Sequence, residues 1–195
     1  MRVLGVDPGL SACGLAVVEG AAQSAAVVRA GVVRTAPDEP TAERLKVIHD
    51  EVASLLSTLR PLAVAVERVF VNANRSTAMG VGQAAGVVLL AAAQAGVPAV
   101  EYTPSQVKAA VTGNGDADKE QVAFMVRALL DLAEEPRPAD LADALALGLC
   151  HLRQGGLPTP RGGGAVGGGM SPRLAAAVAA AGPGAQVARR RGSGA

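Results

Sequence analysis

Residues Arg2-Val3-Leu4-Gly5-Val6-Asp7-Pro8-Gly9 decide how this chain folds. An apolar run leads into an acid and then a Pro-Gly turn, the pattern of a buried strand that ends at a reversal. Outward from it, residues 14–19 and 26–35 read as two further strands, so the chain opens on an antiparallel meander. Thr41 begins a helical pattern, with Glu43 two places on, apolar residues at Leu45, Ile48, Val52, Leu55, Leu56 and Leu59, and Pro61 just beyond. Residues 62–66 are almost continuously apolar, which is how a strand covered on both faces reads in a parallel sheet. A strand at 99–102 and helices at about 76–95, 105–111, 119–132 and 139–153 complete the order.

Three antiparallel strands extended by parallel ones through helical crossovers make an α/β fold. It is a mixed five-stranded sheet, βββαβαβ and then helices, covered on both faces in the ribonuclease H-like layout. Such a layout assigns no chemistry by itself. Actin-like and sugar-kinase ATPases are built from related halves, but they need two of them, and 195 residues cannot hold both.

Half of the residues are hydrophobic, yet only Phe70, Tyr102 and Phe124 are aromatic, so Ala, Val and Leu must build the core. Phe124 falls among Val122, Met125, Val126 and Leu129 and is expected inside; Tyr102 ends a strand and suits either place. Residues 1–152 carry 12 Lys/Arg against 17 Asp/Glu, whereas 153–195 carry 6 against none. From Gln154 the chain turns to Gly, Pro, Ala and Arg and cannot bury enough apolar area to offset its ordering entropy. The expected organisation is a ribonuclease H-like domain at 1–153 and a disordered tail at 154–195, in which Arg189, Arg190 and Arg191 form a cluster of positive charge. Cys13 and Cys150 lack the spacing of a zinc site or a disulfide framework, and no secretory leader or membrane span is apparent, so a cytoplasmic setting is expected.

Asp7 and Glu67 each follow an apolar strand, where a carboxylate is costly unless paired or bound to a cation. The fold sets the strand after the first helix beside the first strand, which brings the two acids together. Asp140 and Asp143, three residues apart at the start of an Ala- and Leu-rich helix, share one face near its N-terminus. Singly, each acid reads as a turn former, an ion-pair partner or a helix-start residue. Jointly, they repel unless cations neutralise them, and hard oxygen ligands without Cys or His select magnesium or manganese. Two such ions suit phosphodiester hydrolysis.

The stretches Leu4-Gly5-Val6-Asp7-Pro8-Gly9, Val66-Glu67-Arg68-Val69-Phe70, Gly82-Gln83-Ala84-Ala85-Gly86, Glu101-Tyr102-Thr103-Pro104-Ser105-Gln106-Val107-Lys108 and Ala139-Asp140-Leu141-Ala142-Asp143-Ala144-Leu145-Ala146 closely resemble the RuvC family of bacterial Holliday-junction endodeoxyribonucleases. The resemblance runs over about residues 1–153 in order and spacing. It implies a dimeric, magnesium-dependent resolvase that nicks two strands of a four-way junction symmetrically, leaving 5′-phosphate and 3′-hydroxyl ends, alongside a RuvA and RuvB branch-migration complex. It further implies that Asp7, Glu67, Asp140 and Asp143 are catalytic metal ligands, and that Phe70, Lys108 and Lys119 meet DNA. A catalytically silent junction-binding module is the rival that one sequence leaves open.

Only three residues are Lys against 15 Arg, and two of them, Lys108 and Lys119, lie within one short segment suited to phosphates. Arg68 and Arg75 flank the polar stretch after Glu67 and are further candidates for backbone contact. Phe70, in that stretch, suits stacking on an unpaired base, with a core lid as the alternative. Gly80, Gly82 and Gly86 each weaken the helix that carries them by about 1 kcal/mol relative to Ala. Close packing against a second copy or against the chain's own sheet would explain them, and the resemblance implies a dimer contact. His49 and His151 have no catalytic partner by spacing.

Overall fold

Val3, Leu4 and Val6 are all fully buried, as a strand with neighbours on both edges and helices on both faces requires. This strand, β1 (Arg2–Asp7), is central in a five-stranded sheet of order β3-β2-β1-β4-β5. β2 (Ala12–Ala21) pairs antiparallel with β1, and β3 (Ser24–Arg34) antiparallel with β2. β4 (Ala63–Glu67) runs parallel to β1, and β5 (Ala99–Tyr102) parallel to β4. The computed structural model describes residues 1–68 and 75–154, so Phe70 and the tail expected beyond Gln154 lie outside the described residues.

Strand alternation sorts the side chains between two cores. Leu4, Val6, Leu15, Val17, Val64 and Val66 pack with Ile48 and Val52 of α1 (Thr41–Leu59) and with Ala84 and Val88 of α2 (Arg75–Gln94). On the other face, Val3, Ala16, Val18 and Ala65 pack with α3 (Pro104–Thr112), α4 (Lys119–Leu129) and α5 (Ala139–Gln154). Fully burying a Val or Leu side chain contributes roughly 1.5–3 kcal/mol, which is how a chain this poor in aromatics holds together.

Local chemistry sets the helix ends. Arg60 closes α1 in the left-handed region (φ 48°) just before Pro61. Thr103 with Gln106, and Asp118 with Gln121, form reciprocal capping boxes that start α3 and α4. α4 stops at Leu129, short of the expected residue 132, because Asp131 turns left-handed (φ 50°).

Two expectations about aromatics are corrected or decided here. Phe124 is not core: it is 55% exposed while Val122 and Val126 are buried, because two residues along a helix is a rotation of about 200°, which places Phe124 opposite both neighbours. Tyr102 is buried, and its hydroxyl lies 2.7 Å from Nδ1 of His151, which is wholly enclosed. Among the described residues no helix is long and apolar enough to cross a membrane, and Cys13 and Cys150 are both buried free thiols.

Candidate active site

β1 and β4 run parallel in register from Val3 opposite Ala63 to Val6 opposite Val66. The next rung is therefore Asp7 beside Glu67. Both follow the alternation of Val3 and Ala65 and stand on the face covered by α5.

The approach of α5 rests on three glycines. A Cβ on Gly5 would overlap the carbonyl oxygen of Ala144 and lie 2.7 Å from the amide nitrogen of Gly148. Gly14 pairs with Asp7 across the β1–β2 ladder, and a Cβ there would overlap the carbonyl oxygen of Asp140. A Cβ on Gly148 would come within 2.6 Å of Val18 Cγ2. The helix thus seats backbone against backbone on the β1–β2 hairpin, and its first turns carry Asp140 and Asp143 toward the ends of β1 and β4.

Electrostatics record the result. Burial first, then Glu67, Asp143 and Asp140, push Asp7 up to about 7, with Lys119 partly opposing them. Burial, then Asp143, raise Glu67; burial first, with Asp140 adding to it, raises Asp143, and Lys119 and Lys108 oppose that shift. Nζ of Lys119 lies 3.8 Å from Oδ2 of Asp143, and its side chain is 81% exposed. A contact so long and so wet is weak and leaves the ammonium free to meet another anion. Burial pushes the Cys13 thiol up to about 12, so it brings no thiolate to the site.

The donor set fits a hard divalent cation, being four carboxylates of which one is destabilised as an anion by the others. Among the described residues no three His, Cys, Asp or Glu side chains converge closely enough to cage one ion. The acids form an electrostatic cluster at one end of the sheet, wider than a closed cage.

A family model described as "Crossover junction endodeoxyribonuclease RuvC" matches residues 3–151. The chain belongs to the RuvC family. The RuvC of Parafrankia sp. (strain EAN1pec) is 58% identical over 156 residues, covering 80% of this chain and 88% of that protein. The structure of Thermus thermophilus RuvC in complex with Holliday junction substrate aligns with a TM-score of 0.76 and 48% identity, over 80% of this chain and 96% of that one. The yeast mitochondrial Holliday junction resolvase Ydc2, at 13% identity and a TM-score of 0.56 over 78% of this chain and 79% of that one, shares the fold alone. The ribonuclease H-like architecture expected from the strand order is that of the RuvC family.

Of the residues singled out from the sequence, Asp7, Glu67, Asp140, Asp143, Lys108 and Lys119 come near enough at one end of the sheet to influence one another's charge. Arg75 opens α2, and its side chain, like Phe70, lies outside the described residues. The glycines of α2 prove informative: among the described residues nothing lies over Gly82 and Gly86, so the sheet does not account for them, and Gly80 meets only Leu10. Sequence reasoning passed over Gly5, Gly14 and Gly148 as functional residues. For Gly5 and Gly14 the available signal was glycine inside a strand, and for Gly148 glycine inside a helix, both of which mark a close approach of a neighbour.

Proposed function

We propose that this RuvC-family chain is a magnesium-dependent endonuclease that resolves four-way DNA junctions by paired, symmetric nicks during recombination and repair in the cytoplasm. The observation that carries this reading is the gathering of four carboxylates at one end of the sheet, with Asp7 raised to about 7 by burial and by the other three. A nuclease has use for such an arrangement, because a buried acid cluster is unfavourable without cations to neutralise it.

Asp7, Glu67, Asp140 and Asp143 are the residues that would hold metal. Two magnesium ions, or manganese in their place, would supply an activated water on one side of the phosphodiester and stabilise the leaving oxygen on the other. The protein's own part is positioning. The ammonium groups of Lys108 and Lys119, next to the acids, draw the phosphodiester toward them, and Arg75 adds a contact to the backbone. Phe70 stacks on a base unpaired near the cut. Paired nicks need two equivalent sites, which a two-fold homodimer supplies. The open glycine face of α2 supports a contact there, since Gly82 and Gly86 leave room for a second copy's helix. RuvA and RuvB are the expected partners for delivering the junction.

Incubation with a synthetic four-way junction and with linear duplex in magnesium tests this. The junction alone should be nicked symmetrically, and Asp140→Asn should abolish nicking while junction binding stays within a few-fold of the parent. Undiminished nicking by Asp140→Asn would overturn the assignment of the acids. Binding without nicking by the parent protein would make it a silent junction-binding module.

A further inference from the structure

Arg44, near the start of α1, is only 8% exposed and makes no ion pair with any described residue. Its Nε donates to Thr35 Oγ1 at 2.8 Å and its Nη2 to Ser11 Oγ at 2.8 Å. Thr35 Oγ1 in turn donates to the Leu10 carbonyl at 2.5 Å. The Thr35 hydroxyl is thereby committed on both sides, with its proton given and a lone pair taken. Ser11 is not. A guanidinium can only donate, so it occupies a lone pair of Ser11 Oγ and leaves the Ser11 proton to be aimed elsewhere. No described residue accepts that proton, and Ser11 is exposed.

The location gives this donor a use. Ser11 lies in the turn that follows Asp7, Thr35 follows β3, and Arg44 reaches them from α1. All three sit at the end of the sheet that carries Asp7 and Glu67. α1 covers one face, whereas Lys108 and Lys119 belong to α3 and α4 on the other, so Ser11 and the lysines flank the acids from opposite sides. A guanidinium enclosed among neutral oxygens is costly unless its charge serves something. Behind a hydroxyl, that charge makes the O–H a stronger donor to an anion.

We infer that the Ser11 hydroxyl, oriented by the buried Arg44, donates to a DNA phosphate on the α1 flank of the acid cluster, opposite Lys108 and Lys119. Ser11 is then a binding residue and Arg44 a positioning residue. The inference rests on the reading of the protein as a junction nuclease. It adds a hydroxyl grip on the α1 side of the site, away from Lys108 and Lys119.

Methylphosphonate placed at single positions along the cleaved strands of a synthetic junction removes one phosphate charge at a time. Unmodified protein should lose affinity at a small set of positions. Ser11→Ala should bind the unmodified junction about three- to ten-fold more weakly, as loss of one hydrogen bond predicts, with an unchanged melting temperature. It should also become indifferent to substitution at one phosphate that the parent reads. Ser11→Thr keeps the hydroxyl and should restore both properties, which a merely structural role for the turn would not require. Parental affinity and an identical methylphosphonate profile in Ser11→Ala would overturn the inference while leaving the nuclease reading intact. Parent protein that fails to bind the junction at all would overturn both.

Discussion

Gly14 stands opposite Asp7 in the β1–β2 ladder, and a Cβ at Gly14 would run into the carbonyl oxygen of Asp140. One missing side chain therefore governs how closely two acids on different elements approach. Gly14→Ala should push the first turn of α5 off the sheet, costing about 1–3 kcal/mol of stability and lowering junction cleavage by roughly ten-fold or more. Gly148→Ala, which meets the Val18 side chain farther along the same helix, is the matched control. It should melt earlier by a similar amount yet retain more cleavage. Equal cleavage by Gly14→Ala and the parent would show that the seat of α5 does not set the site.

The raised pKa of Asp7 makes a prediction about stability without metal. Below the ordinary value of 3.8 the carboxyl is protonated in folded and unfolded chains alike, so the fold bears no penalty; as pH rises toward about 7 the unfolded chain ionises first and gains. Stability from this group is thus full below about pH 4 and lost by about pH 7. Glu67 and Asp143 are shifted in the same direction. Asp7→Asn lacks the penalty, so in EDTA its melting temperature should exceed the parent's by a margin that grows between pH 4 and 7 and then levels off. The contribution of His151, whose pKa burial lowers, is common to both proteins and cancels in the difference. A margin that stays constant over this range would refute the coupling.

Open space over Gly82 and Gly86 separates association from folding. Gly86→Leu has room within one chain and should melt as well as the parent, or better, since glycine is a poor helix former. If α2 is the surface where two copies meet, the same change should overpack it. Sedimentation should then report monomers, with paired nicking lost. Dimers of Gly86→Leu at parental affinity would move the contact elsewhere.

Phe70 is the aromatic assigned to base stacking. Stacking contributes about 1–3 kcal/mol per base, so Phe70→Ala should lower junction cleavage roughly ten- to a hundred-fold with an unchanged melt. Junctions that already carry an unpaired base at the cut should recover much of the loss. A melting temperature lowered in proportion to about 3–5 kcal/mol would instead identify Phe70 as a packed lid.

Much of the architecture is written locally. The apolar run before Asp7, the run before Glu67 and the spacing Leu45, Ile48, Val52 each declare an element, because strand and helix periods dictate which side chains can reach a core. Asp7, Glu67, Asp140 and Asp143 stood out on the same basis, as acids at the ends of elements that water leaves. Other features required the folded chain. Phe124 shares a stretch with Val122 and Val126 but points away from them, and only the rotation of α4 about its axis decides which of these residues turns toward α3 and α5. The seat of α5 on Gly5 and Gly14, the commitment of Arg44 to Ser11 and Thr35, and the empty face of Gly86 all join residues far apart in sequence. Periodicity reports which face of an element is apolar. How near two faces come, and which polar atom is left without a partner, is settled only when every element packs at once, since backbone contact and hydrogen-bond satisfaction belong to the whole assembly and not to any one segment.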